Sequence, residues 1–229
     1  MIPMDYEKIE EARYENMWRS MKGKLAVNSR SYRSEYPAGF LPELNEFIEK
    51  EVGGRALLDV GCGNGRNAIF FAKKGYVVSG IDISSEAIKL AKTLAKRDKV
   101  DVSLEVGSVF DLPYGDVEYD AVLDCGCLHH LRKSQWSKYL RNILRVIKSS
   151  GIYCLYCFSD NTSPYSVKNK VVRPKNRNWN LVGKHYNHFF SSEEVNDFFG
   201  KYFEISEQDE IVKDLSTNKF RLFFMSRKH

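Results

Sequence analysis

Leu57-Leu58-Asp59-Val60-Gly61-Cys62-Gly63-Asn64-Gly65 is an apolar run that ends in a glycine-rich turn, and Arg66-Asn67-Ala68-Ile69-Phe70-Phe71-Ala72 continues it with helical spacing. Glycine suits this turn because the backbone must reverse sharply, and a ligand can lie against it with no Cβ in the way. Alone, Gly-x-Gly-x-Gly is a weak signal, since tight strand–helix turns use glycine for purely structural reasons. Its surroundings strengthen it. Asp82 ends the next apolar run, about 20 residues beyond the first glycine, where an acidic side chain can bond ribose hydroxyls. Asp59 precedes the loop, as a carboxylate would if it faced a cationic ligand rather than a pyrophosphate. A third run leads into Gly107-Ser108-Val109-Phe110-Asp111-Leu112-Pro113, and a fourth into Asp124-Cys125-Gly126.

Outward from this segment, residues 55–159 alternate between short apolar runs and amphipathic stretches, the pattern of strand–helix units on a parallel sheet. Strands are expected at Ala56–Val60, Tyr76–Ile81, Val102–Val106, Ala121–Asp124 and Ile152–Phe158. Ser84 or Ser85 can cap a helix whose Ala87, Ile88, Ala91, Leu94 and Ala95 share one face. Leu140, Ile143, Leu144 and Ile147 repeat the pattern over Trp136–Ile147, with Gly151 as the expected stop. Ser191-Ser192-Glu193-Glu194 has the capping-box pattern of a further helix start. Tyr202–Ser206 and Phe220–Ser226 alternate as two closing strands, joined by a connection too short for a crossover helix. The expectation is a Rossmann-like α/β fold: a seven-stranded, mostly parallel sheet with helices on both faces and a C-terminal antiparallel strand. Residues 1–54 add two helical pieces, Asp5–Met21 and Leu41–Val52, expected to form a lid on the domain at 55–229. Residues 160–190 have no clear period and are expected to form a substrate-side insertion.

The chain has 229 residues, enough for one well-buried core and modest additions. Hydrophobic residues make up 43% and charged residues 28%, an ordinary balance for a globular protein. The start, Met1–Glu15, lacks the basic and apolar stretches of a signal peptide, and no apolar run approaches the roughly 20 residues of a bilayer span. A cytoplasmic monomer or homodimer without membrane association is the expectation. Net charge is +5, from 35 basic and 30 acidic residues, an excess too mild to identify a nucleic-acid binder.

The ordered set from Asp59 to Gly126 resembles the motifs of class I S-adenosylmethionine-dependent methyltransferases, over roughly residues 55–160. The resemblance implies S-adenosyl-L-methionine as cofactor. It would lie on Asp59, Gly61, Cys62, Gly63, Asn64 and Gly65, with its ribose on Asp82 and its adenine beside Ile83, Ser108 and Val109. Ser108 stands where the family most often has aspartate. Carbonyls around Asp124 and Cys125 would receive the cofactor's ammonium. A nicotinamide dehydrogenase would instead need Gly-x-Gly-x-x-Gly/Ala, and Arg66 follows Gly65 here.

The fourth run ends Asp124-Cys125-Gly126-Cys127-Leu128-His129-His130-Leu131. It lacks the Asn/Asp-Pro-Pro-Tyr of enzymes that methylate nucleobase amino groups or protein amides. It resembles the Asp-x-Gly-x-Leu-His-His stretch of small-molecule methyltransferases, including thiol and tellurite enzymes. The expected reaction is methyl transfer to a thiol, hydroxyl or amine of a small-molecule acceptor, with His129 as the candidate base. Trp18, Tyr36, His129, His130, His185, Tyr186 and His188 are the candidate acceptor-lining residues. Cys125/Cys127, Cys154/Cys157 and His185/His188 offer enough groups for zinc. No metal is expected, because an offset of three along a strand sends Cys154 and Cys157 to opposite faces. Two other readings are an RNA methyltransferase and a catalytically inactive cofactor-binding protein. The RNA reading draws on Lys168, Lys170, Arg173, Lys175 and Arg177, with Tyr165 and Trp179 available for stacking.

Overall fold

Helix α1 (Tyr6–Met21) opens the computed structural model, which describes residues 6–21, 36–161, 171–172, 178–181, 185–208, 211–212 and 219–228. Helix α2 (Leu41–Glu51) follows, its Leu41, Leu44 and Ile48 buried at helical spacing. Then come β1 (Ala56–Val60), α3 (Arg66–Lys73), β2 (Val77–Asp82), α4 (Ser85–Asp98), β3 (Ser103–Val106), β4 (Tyr119–Cys125), α5 (Trp136–Val146) and β5 (Ile147–Phe158). Ser84 caps α4 by accepting from the Ala87 amide, and the five apolar residues read from the sequence are its buried face. Strands β6 (Val171–Val172), β7 (Asn178–Leu181) and β8 (His185–His188) form a separate antiparallel sheet. Runs this short carry no periodicity that is legible in the sequence. The chain closes with α6 (Ser192–Phe199), β9 (Phe203–Glu207), β10 (Ile211–Val212) and β11 (Lys219–Arg227).

The main sheet runs β10-β11-β5-β4-β1-β2-β3, parallel from β3 to β5 and antiparallel at β11. Strand β9 pairs with residues 223–227 of β11 and β10 with residues 219–220, so two short strands share the outer edge. The expected seven-position sheet with a C-terminal antiparallel strand is therefore present. Its residues alternate between two cores. Leu57, Ala121, Leu123 and Cys154 meet α2 and α3, whereas Leu58, Val122, Leu155 and Cys157 meet α5 and α6. The three-residue offset thus puts Cys154 and Cys157 on opposite faces.

Two boundaries differ from expectation. Helix α5 ends at Val146 and Ile147 is already extended, so Gly151 lies inside β5 rather than stopping a helix. A Cβ on Gly151 would lie 2.5 Å from Ile147 Cγ1, so glycine serves close packing there. At α6, Ser191 Oγ accepts from the Glu194 amide, but the Glu194 carboxylate turns to His188 and Lys133 instead of closing a capping box.

Candidate active site

The C-terminal ends of β1, β2 and β4 and the start of α3 open into a cavity of about 710 Å³, covered by α1. This is the crevice where open parallel sheets bind ligands. Gly61, Gly63 and Gly65 have φ values of 67°, 56° and 73°, the left-handed region that favours glycine. A Cβ on Gly63 would lie 2.8 Å from Trp18 Cζ2, so the indole packs directly on the loop backbone. Gly65 faces away from the cavity, where a Cβ would meet Ala91 at 2.9 Å. It serves the close approach of α3 to α4.

Asp82 Oδ2 accepts from the Gly63 amide at 2.8 Å and Oδ1 from the Ser84 amide at 2.9 Å. Each oxygen keeps a lone pair for a ligand. Burial is the main cause that raises the Asp82 carboxyl to about 6. Ile83, Ser108 and Val109 continue the wall, and Ser108 Oγ accepts from the Phe110 amide. Asp59 and Asp124 lie behind the cavity surface. Asp124 accepts from the amides of Gly126, Cys127 and Leu128 and from the Tyr139 hydroxyl, which locks the turn after β4. Burial raises its carboxyl to about 6. Burial, then the charge of Asp124, raises Asp59 to about 8, and Asp59 Oδ2 has no hydrogen-bond partner.

Helix α1 packs Trp18 and Met21 on Ala87 of α4, and the Glu15 side chain ties it there. Glu15 accepts from Ser84 Oγ at 2.7 Å, Ser85 Oγ at 2.8 Å and the Glu86 amide at 3.2 Å, at the N-terminus of α4. Burial opposes ionisation of Glu15, yet these bonds hold it below the usual carboxylate range. Tyr14, one turn before Trp18, also lines the cavity and packs edge-on against His130 at 5.6 Å.

His129 and His130 both line the cavity. The Phe158 amide donates to His129 Nδ1 at 3.2 Å, and His129 Nε2 lies 3.0 Å from His130 Nε2. A neutral His129 therefore carries its proton on Nε2, pointed at His130, and its lone pair is already engaged. His129 also stacks on Phe158 at 4.0 Å. Cys62 and Cys127 border the cavity, and burial pushes both thiols well above their ordinary range. Such thiols are small apolar wall groups rather than nucleophiles.

Other candidates stand elsewhere. Tyr36 is off the cavity, half-exposed, with its carbonyl accepting from Arg66. The Tyr186 hydroxyl accepts from the Lys133 amide. His188 Nε2 pairs with Glu194 at 2.6 Å, and the ring packs edge-on against Trp136 and Phe190, which stack on each other. The His185 side chain lies outside the described residues. Asn187 is the described side chain of β8 that lines the cavity, as do Phe158, Phe220 and Tyr156. Strand alternation signals it: Tyr186 and His188 share one face and Asn187 takes the other.

Residues 57–151 match the model described as a methyltransferase domain. An uncharacterized methyltransferase of Schizosaccharomyces pombe is 34% identical over 48% of this chain and 76% of its own length. The chain belongs to the class I S-adenosylmethionine-dependent methyltransferases. Its cofactor is S-adenosylmethionine. Ajmaline N-methyltransferase of Rauvolfia serpentina is 40% identical over 42% of the chain, a match spanning only 34% of that enzyme's length. The tRNA N(3)-methylcytidine methyltransferase trm140 of S. pombe is 25% identical over 95% of the chain and 71% of its own length. The solved 1,6-didemethyltoxoflavin-N1-methyltransferase of Burkholderia thailandensis, with S-adenosylhomocysteine bound, superposes with a TM-score of 0.72. It covers 100% of this chain and 92% of its own, at 17% identity. No helix among the described residues is long and apolar enough to cross a membrane.

Proposed function

We propose that the protein transfers the methyl group of S-adenosylmethionine to a nitrogen of a small molecule. The observation that carries this reading is the cavity: one space of about 710 Å³ joins the glycine loop to a wall of Tyr14, His129, His130, Phe158 and Phe220. Its size and the aromatic residues of this wall suit small-molecule sites. The cofactor supplies an electrophilic methyl group on a sulfonium. The Gly61–Asn64 backbone would cradle its methionine part, Asp82 would take the ribose hydroxyls, and Ile83 and Val109 would flank the adenine. Main-chain carbonyls at Asp124 and Cys125 would receive the ammonium. The buried, unpartnered Asp59 oxygen fits a positively charged ligand nearby.

Nitrogen is favoured over oxygen or sulfur by the histidine pair. With its lone pair held by the Phe158 amide, His129 positions the wall and is not a base. A neutral nitrogen brings its own lone pair, so the N–C bond can form as the S–C bond breaks, without prior proton removal. The names of the Rauvolfia and Burkholderia enzymes, both N-methyltransferases, support the same choice. Helix α1, docked over the cavity, would act as a lid that excludes water.

The whole-chain similarity to the S. pombe tRNA enzyme keeps one second reading, an RNA acceptor. The basic residues that would favour RNA, Lys168, Lys170, Arg173, Lys175 and Arg177, lie outside the described residues. The test is methyl transfer from labelled cofactor to a small-metabolite pool, total RNA and total protein. Label in the small-molecule fraction is the expected result. Label only in RNA, with binding that collapses between about 50 and 200 mM salt, would replace the first reading with the second. No label in any fraction would mark an inactive cofactor-binding protein.

A further inference from the structure

Among the described residues, the Tyr14 hydroxyl and Asn187 Oδ1 are buried without a hydrogen-bond partner, and both residues line the cavity. Buried polar atoms are nearly always paired, and leaving one unpaired costs about 1–3 kcal/mol. Two in the lining of one cavity, from α1 and β8, are therefore a signal. Neither belongs to the glycine loop or to the Asp82 and Val109 walls. Their neighbours do not share the defect: Tyr186 and His188, on either side of Asn187, are bonded to the Lys133 amide and to Glu194.

The surface that accompanies the two atoms is aromatic. Tyr14 meets His130, and His130 stands edge-on to Phe158 at 6.2 Å. Phe158 stacks on Phe189 at 5.1 Å and touches Phe220 at 4.9 Å, and Phe220 lies parallel to Tyr156 at 4.7 Å. With their faces stacked on His129, Phe189 and Tyr156, Phe158 and Phe220 offer ring edges, against which a flat ring packs edge-to-face. The polar atoms then define its edge. An amide oxygen only accepts, so its complement is an N–H group. Burial holds the Tyr14 hydroxyl protonated, above its usual range, so it can donate to a ring nitrogen or a carbonyl oxygen.

We propose that Tyr14 and Asn187 form a recognition edge for a planar heteroaromatic acceptor that carries an N–H or amino group beside a hydrogen-bond acceptor. Asn187 takes the N–H, Tyr14 donates to the acceptor atom, and Phe158 and Phe220 hold the ring. This inference rests on the small-molecule nitrogen reading and specifies its substrate class. It also explains why β8 lies against the turn at Leu128–His130: it delivers Asn187 to the wall.

The test uses S-adenosylhomocysteine-saturated protein and matched pairs of probes that are neutral at pH 8 and carry the amino group next to a ring nitrogen, 2-aminoquinoxaline with quinoxaline and 3-aminoisoquinoline with isoquinoline, by calorimetry. At least one amino compound should bind tenfold or more tightly than its parent ring. Asn187→Leu should abolish that preference and Asn187→Asp should keep it. Tyr14→Phe should weaken the amino compound at least threefold. Affinity for S-adenosylhomocysteine should stay within twofold in Asn187→Leu, which shows that the variant is folded. Equal affinity within every pair, or a preference that survives Asn187→Leu, overturns the recognition edge and leaves the methyltransferase reading intact. Failure of the wild type to bind S-adenosylhomocysteine overturns both.

Discussion

The two walls of the cavity are built in opposite ways. The wall assigned to the cofactor comes from one continuous stretch, in which the Gly61–Gly65 loop, Asp82, the Ser108 turn and the Asp124 turn sit at successive strand ends. Its polar side chains are mostly bonded to nearby backbone: Asp82 to Gly63 and Ser84, Asp124 to Gly126, Cys127 and Leu128. The acceptor wall collects Tyr14 from α1, the His129–His130 turn, Phe158 from β5, Asn187 from β8 and Phe220 from β11. It is rich in aromatic residues, and among its described residues the Tyr14 hydroxyl and Asn187 Oδ1 are buried without a hydrogen-bond partner. A preformed, locally bonded wall suits a ligand shared by a whole family, whereas an assembled wall can change its ligand by exchanging one element.

The sharpest way to break this contrast is at the loop. Gly63→Val should weaken S-adenosylhomocysteine binding about a hundredfold. The added Cβ meets Trp18 at 2.8 Å, and φ of 56° is strained for a branched residue by roughly 1–2 kcal/mol before any clash. Calorimetry giving less than a threefold loss would show that the loop does not carry the cofactor.

Asp82→Ala should weaken cofactor binding at least tenfold, about 1.4 kcal/mol, through loss of the ribose bonds. Unchanged affinity would contradict its assignment.

A smaller effect tests the lid. Deleting residues 1–36 removes Glu15 and Trp18 and leaves every strand of the main sheet in place. The truncated protein should fold and bind the cofactor about fivefold more weakly, on the scale of a lost docking contact worth about 1 kcal/mol. Equal affinity would make α1 a bystander to the cofactor wall.

The smallest expected change is with pH. Asp59, Asp82 and Asp124 are raised by burial to about 8, 6 and 6, so the folded chain keeps protons that the unfolded chain releases near its ordinary pKa of about 4. Their contribution to stability is present below about pH 4 and is lost as pH rises through 6 and then 8. Raising the pH from 6 to 8 should lower the melting temperature of the ligand-free protein by a few degrees. The cofactor's positive charge favours the ionised carboxylates, so its stabilising effect should grow over the same range. Asp59→Asn should flatten both trends, and a pH response identical to wild type would remove Asp59 from the account.

The cofactor side was legible because its signals are local. A glycine loop between a strand and a helix, and an acidic residue at the next strand end, are each consequences of a few neighbouring residues. The acceptor side was legible only in fragments. Trp18 was found as an aromatic residue on a helix, while Tyr14, four residues earlier on the same face, was not. In His185-Tyr186-Asn187-His188 the chemically conspicuous residues drew attention, and period-two alternation brought Asn187 to the cavity instead. His129 was expected as a base because histidine titrates near neutrality, yet its Nδ1 accepts from the Phe158 amide, twenty-nine residues along the chain.

The sequence by itself determined the Rossmann-like sheet, the family and the cofactor, because backbone turns and hydrophobic periodicity are short-range properties. Tertiary structure alone decided what engages the His129 lone pair, which face of β8 meets the cavity and which buried atoms lack partners. Those properties depend on how elements distant in sequence pack together, and no local pattern encodes the hydrogen bonds that such packing makes or leaves unmade.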